Sequence, residues 1–392
     1  MGRITRSVMA TSILALSLAI LDPARADADS RDNDSILFSQ TNLISNLPGM
    51  ANIQNPNLLN AWGIAFAPAG DFWINTNDNG LSLLVDGTGA ANPKLPAVTV
   101  PLPPPPLRAD INPKASAPTG IIANLSGGFA VPGSTSAAVF IFDTEDGTIS
   151  AWNPAVNATN AVIAVNNSNV GTGGAVYKGL AFGVTTTGEH LYAANFRAGT
   201  VDVFDATFTP NLVDGAVMDA ATATNIAGTF ADPQIPAGFA PFGIQNINGD
   251  LYVSYARQDA AKHDPVNANH SGFVDIFSTD GVLLNRFAAG GPLNSPWGLV
   301  QAPPSFGRFG NDILVGNFGD GTINVFTSDG DLRGPLLGTN GRPLVNGGLW
   351  ALNFGGGSKS SPDTLYFSAG PNSETNGLFG TIVPVAADND DR

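Results

Sequence analysis

The chain has 392 residues with 46 Gly, 29 Pro and no cysteine, 43% hydrophobic and only 12% charged residues, and a formal net charge of -15. The missing cysteine excludes disulfides, thiolate metal sites and Cys nucleophiles. The negative charge makes nucleic acid and anionic membrane surfaces poor partners. A chain this rich in Gly and Pro and poor in Glu and Lys disfavours helix, so an all-β fold is expected.

The N-terminus reads MGRITRSVMATSILALSLAILDPARA. Arg3 and Arg6 precede an apolar run from Val8 to Leu21 and an Ala24-Arg25-Ala26 site, the pattern of a cleaved signal peptide over residues 1–26. Its removal leaves 14 basic against 31 acidic residues, a net charge of -17. Export to the periplasm or the exterior is expected, with no membrane insertion after cleavage and a monomeric product. Residues 385–392 form an acidic tail.

From residue 60 onward one pattern recurs. Its first column is x-Gly-Ile/Leu at Gly63, Gly120, Gly179, Gly243, Gly298 and Gly348, with successive spacings of 57, 59, 64, 55 and 50 residues. Each copy adds a second apolar run (FWINT, VFIFD, LYAAN, LYVSY, ILVGN, LYFSA), a turn, and a third run that opens on glycine. Short β-branched or aromatic runs bounded by Gly, Asn and Asp are strands. Six such units, near 60–100, 118–165, 177–215, 241–290, 296–340 and 347–384, predict a six-bladed β-propeller, because one small sheet buries both faces only when neighbours stack around a ring. A β-solenoid would have shorter, more regular coils.

Residues 27–384 therefore form a single domain. The last unit lacks an outer strand and residues 35–45 lack a unit, so the N-terminal strand is expected to close the ring and cover the exposed edge. The Pro-rich stretch VPLPPPPLRADINPKASAP reads as an extended surface loop.

NLLNAWGIAF, VYKGLAF, APFGIQ, SPWGLVQAP, LVGNFGDGTINVF, GGLWALNFG and AGPNSETNGLFG, in that order, closely resemble an uncharacterised family of secreted bacterial β-propeller proteins, from about Gln40 to Ile382. The resemblance implies fold and export, and it brings no activity or catalytic residues. A looser likeness to NHL-repeat and lactonase-type propellers is architectural, and fold alone does not supply function.

Residues before the column glycines and turns after the second runs should surround one channel mouth. There Trp62, Phe242, Trp297 and Trp350 offer aromatic faces, Lys178 a charge, and Asn195, Arg197, Asn317 and Asp320 polar groups for a ligand. Packing between blades is the competing role for the tryptophans, and turn formation for the Asn and Asp residues. Glu374, one of three glutamates in the chain, lies in the long loop GPNSETNG, and the fourth unit's insertion YARQDAAKHDPVNANHSG supplies Asp259, His263 and Asp264. These four are the metal candidates, against a solvated lid as the other reading of the insertion. Oxygen-rich turns suit Ca²⁺ as the one cofactor to test.

NFGDG is no phosphate loop, because no Lys-Ser/Thr pair follows it. With three histidines and no G-x-S-x-G elbow, a Ser-His-Asp centre has no base. A binding or scaffold module for a glycan, small ligand or protein partner is the leading expectation. A divalent-metal hydrolase of lactonase type and a structural matrix protein are the alternatives.

Overall fold

Each repeating unit folds as one antiparallel sheet, because its Gly and Asx turns reverse the chain between short strands that are apolar on both faces. A computed structural model describes residues 37–170, 173–211 and 230–385. The segment 1–26 expected as a signal peptide, and the expected acidic tail beyond residue 385, lie outside the described residues. Blade 1 comprises Ala61–Phe66, Phe72–Thr76, Leu81–Val85 and Ala97–Thr99. Blade 2 comprises Pro118–Ala123, Phe140–Thr144, Thr148–Trp152 and Val162–Asn166. The inner strands of blades 3 to 6 are Tyr177–Thr185, Phe239–Ile247, Pro296–Gln301 and Leu349–Phe354.

Inner strands pack side by side around the axis, and that of blade 6 returns to that of blade 1. The six-bladed β-propeller is thus complete. Its closure is the expected one: Leu37–Ser45 pairs antiparallel with Leu378–Pro384 as the fourth strand of blade 6.

Alternation along the second strands explains where the core sits. In blade 1, Trp73 turns toward Phe140 and Trp152 of blade 2, whereas Phe72 and Ile74 turn toward Tyr366 and Phe379 of blade 6. Every pair of neighbouring blades encloses such a cluster, so both faces of each sheet are buried between blades.

A bulge interrupts each inner strand at the repeat's first column. Its glycine brings the blade against the next one: a Cβ at Gly63 would meet the carbonyl oxygen of Thr119, and one at Gly243 that of Trp297. The sixth column is not Gly347-Gly348-Leu349 as the sequence spacing suggests. The register places the bulge between Leu349 and Leu352, so Trp350-Ala351-Leu352 is the repeat and Trp350 joins the axial ring. Gly348 instead takes a left-handed turn (φ +67°) against Gly370.

Candidate functional site: the channel mouth and its buried lysine

The ring formed by the residues before the bulge positions is Trp62, Thr119, Lys178, Phe242, Trp297 and Trp350. Four of them, Trp62, Phe242, Trp297 and Trp350, with Phe196 and Phe318, fill the axis. Trp62 and Trp350 stack with ring centroids 3.4 Å apart, Trp297 stands edge-on to both, and Phe318 stacks on Trp350 at 4.2 Å. Trp62, Phe242 and Trp350 are fully buried, and Trp297 donates its indole N–H to the Lys178 carbonyl at 2.7 Å. The tryptophans therefore form a floor beneath the mouth.

Lys178 is the sixth member, 1% exposed and set over the Trp62 ring at 5.2 Å. Its ammonium bonds Glu145, from the turn after the second strand of blade 2, and lies 3.4 Å from Asp264 of the blade 4 insertion. Burial alone would push the Lys178 amine down. Glu145, Asp264 and Glu374 outweigh burial and hold it above the ordinary lysine value, so it stays charged and is no nucleophile at neutral pH.

Acids crowd around this one ammonium. Glu145 also accepts from Asn77 Nδ2 at 3.0 Å. Glu374 accepts from Asn60 Nδ2 at 3.2 Å, and Asn60 Oδ1 accepts the Trp350 indole N–H at 3.2 Å. Burial, with Glu145 nearby, pushes Glu374 up to about 7, and the same two causes raise Asp146 to about 7. Asn372, Ser373 and Glu374 are three successive non-glycine residues at positive φ. Such backbone costs roughly 1–2 kcal/mol per residue and is retained where the surroundings hold it in place.

The expected sites divide. Asp264 reaches the lysine and His263 bonds Asp264 at 2.9 Å, but Asp259 accepts the His263 backbone N–H at 2.8 Å and does not join them. The insertion is solvated, with residues 260–262 and 266–270 exposed, and pinned at its base: Asp259 N–H bonds the Asp264 carbonyl at 2.9 Å and Val266 N–H the Arg257 carbonyl at 2.7 Å. Asn195 donates to Asp202, and Arg197 is paired with Asp110. Asn317 donates to the Pro292 carbonyl at 2.7 Å and to Asp320 at 3.2 Å, and Asp320 Oδ1 accepts from the Thr322 hydroxyl at 2.7 Å. These four side chains shape the surroundings of the mouth and are spent on structure.

Two contributors were not among the sequence candidates for the site. Glu145 lies in the turn after the second strand of blade 2, and two of the chain's three glutamates, Glu145 and Glu374, converge here. The Pro-rich loop does more than run over the surface. Arg108 inserts its guanidinium among the carbonyls of Ser168, Ala175 and Glu145 at 2.8–3.0 Å, anchoring the loop over blade 2. The loop then walls a cleft of about 140 Å³ between Asp110, Asn112, Asn77, Asp78, Asp146 and His263, with Glu145 at its base. At the opposite end the axis opens into a funnel of about 310 Å³ lined by uncharged residues, among them Ile64, Phe66, Ile121, Phe182 and Gln245.

The acids give the fold a specific pH dependence. Glu374, Asp143 and Asp146, at about 7, bind protons more tightly folded than unfolded, so they destabilise the fold as pH rises from about 4 to 7. Burial opposes ionisation of Asp86 and Asp110 too, but Lys359 for the first and Arg108 and Arg197 for the second hold them at about 2. These two contribute stability that is lost as pH falls from about 4 toward 2. Thermal unfolding followed by circular dichroism should accordingly show a maximum Tm near pH 4–5, with declines toward both pH 8 and pH 2.

Over 344 residues the chain is 33% identical to "Uncharacterized protein L690" of Acanthamoeba polyphaga mimivirus, covering 87% of this chain and 84% of that protein. It is 32% identical to "Uncharacterized protein R648" of the same virus, over 87% and 78% of the two chains. The chain belongs to their family of uncharacterised proteins. These relatives are viral, so they carry the family and not the bacterial source or export that the motifs imply. No protein-family profile matches the chain. Among solved structures, "Streptogramin B lyase structure" aligns with 89% of this chain and 97% of its own at TM-score 0.50 and 13% identity, a likeness of fold alone.

Proposed function

We propose that this family member is an exported binding module that holds a small amine-bearing ligand, such as the aminosugar end of a glycan, in the cleft at the mouth. The carrying observation is the cleft itself: its walls and base bear Asp78, Asp110, Glu145 and Asp146, and the nearby ammonium of Lys178 is already taken by Glu145. A ligand ammonium would relieve that crowding, and hydroxyls would meet Asn77 and Asn112. The aromatic floor leaves the ligand seated at the rim and not in the axis. Binding should release protons, because Asp146 at about 7 would ionise beside a cation.

Export rests on the N-terminal pattern of residues 1–26, and N-terminal sequencing of the mature protein tests it: a start other than Asp27 would count against cleavage after Ala26. The aromatic floor of Trp62, Phe242, Trp297 and Trp350 at the mouth end of the axis supports the binding reading over a lactonase-type hydrolase. Calorimetry with glucosamine, spermidine and glucose in buffers of different ionisation enthalpy tests the ligand class. The amine-bearing compounds are expected to bind with proton release and to lose about tenfold in affinity in Asp146→Asn, the worth of about 1.4 kcal/mol. Equal binding of glucose and glucosamine, or no effect of Asp146→Asn, would overturn the ligand class.

A further inference from the structure

Glu145, His263 and Asp264 each bring one donor atom within 4.8 Å of the other two. They come from blades 2 and 4, and the fold makes them neighbours only at the mouth. Asp259 fixes the backbone of His263, while the Asp264 side chain is 63% exposed and touches His263 Nδ1 and Lys178. The adjoining cleft of about 140 Å³ gives room for several waters on the Glu145 and His263 side.

We infer that these three side chains form a binding site for a divalent transition-metal ion, with water completing its coordination from the cleft. One imidazole nitrogen with two carboxylate oxygens suits Zn²⁺, Co²⁺ or Mn²⁺, whereas Ca²⁺ favours six to eight oxygens. Metal–ligand bonds of about 2.0–2.2 Å require the donors to draw slightly closer than they stand, a movement that the exposed Asp264 supplies. Asp264 would exchange its contacts with His263 Nδ1 and Lys178 for the metal.

Lys178 then acquires a definite role. Its ammonium holds Glu145 and Asp264 and competes with the ion for both. The site is therefore one in which a built-in cation restrains metal affinity. This inference goes beyond the organic-ligand reading and does not depend on it, since the ion binds with no other ligand present.

The test uses the full mature chain stripped with chelator and titrated with Co²⁺, Zn²⁺, Mn²⁺ or Ca²⁺ alone, followed by calorimetry and by the visible absorption of Co²⁺. Binding of one Co²⁺ or Zn²⁺ per chain is expected, with Ca²⁺ at least about tenfold weaker. His263→Ala should weaken Co²⁺ at least about tenfold and change its visible spectrum, while His270→Ala, whose ring faces the Gly291 carbonyl, should change neither. Lys178→Met should bind Co²⁺ more tightly than the parent. No saturable Co²⁺ or Zn²⁺ binding, tighter Ca²⁺ than Co²⁺, or equal Co²⁺ affinity in His263→Ala and the parent would overturn the site. Unchanged affinity in a folded Lys178→Met would overturn the competition.

Discussion

Trp350→Ala should lower the unfolding free energy by about 3–5 kcal/mol, the usual cost of emptying a fully buried aromatic site. Trp350 is 1% exposed and is held between Trp62 and Phe318 by stacking on both. The plug joins five blades, so the hole it leaves cannot close by a shift of one strand. The loss also frees Asn60, which Trp350 orients and which donates to Glu374. Urea unfolding monitored by circular dichroism measures the effect. Trp297→Phe, at a half-buried ring, should cost well under half as much, and a loss below about 1 kcal/mol for Trp350→Ala would mean the plug is not a structural keystone.

The second large effect concerns the lysine. Lys178→Ala leaves Glu145 facing Asp264 and Glu374 with no ammonium between them, and breaking a buried pair from one side typically costs about 3–5 kcal/mol. Replacing both partners, as in Lys178→Met/Glu145→Gln, should recover most of that loss, because neither side then carries an unmatched buried charge. The single variant's deficit should also shrink at pH 5, where Glu374, at about 7 in the parent, is protonated. A double-mutant cycle at pH 8 and pH 5 reads both effects. Additive losses with no pH dependence would show that Lys178 is held by packing and not by its charge.

The propeller was legible because its evidence is local and repeated. Alternating strands such as FWINT and LYVSY, the recurring column glycines and an orphan strand at 35–45 each point to the same ring. The sixth column was misplaced for an equally local reason. Gly347 and Gly348 imitate the repeat, and the true position carries Ala351, whose methyl group packs into the core shared by blades 6 and 1.

The site was legible only in parts. Its aromatic ring follows from the repeat, but whether the rings face a ligand or one another depends on how close the inner strands approach. Lys178 stood out as the only charge in that ring, while its partner Glu145 sat 33 residues earlier in a turn of ordinary composition. Arg108 in the Pro-rich loop finds its acceptors 37 to 67 residues away, a contact that no local pattern announces. Asp259, adjacent in sequence to the other insertion residues, was misgrouped because spacing in a loop does not fix direction.

The most direct test of the central claim, that the cleft at the lysine end of the axis is where this propeller binds, is amide chemical-shift mapping of the mature chain during titration with glucosamine. Saturable shifts are expected at residues 77–78, 108–117, 145–146 and 263–264, together with the indole N–H of Trp297. Shifts confined to the funnel at the other end, around Ile64, Ile121, Phe182 and Gln245, or no saturable shifts at all, would contradict it.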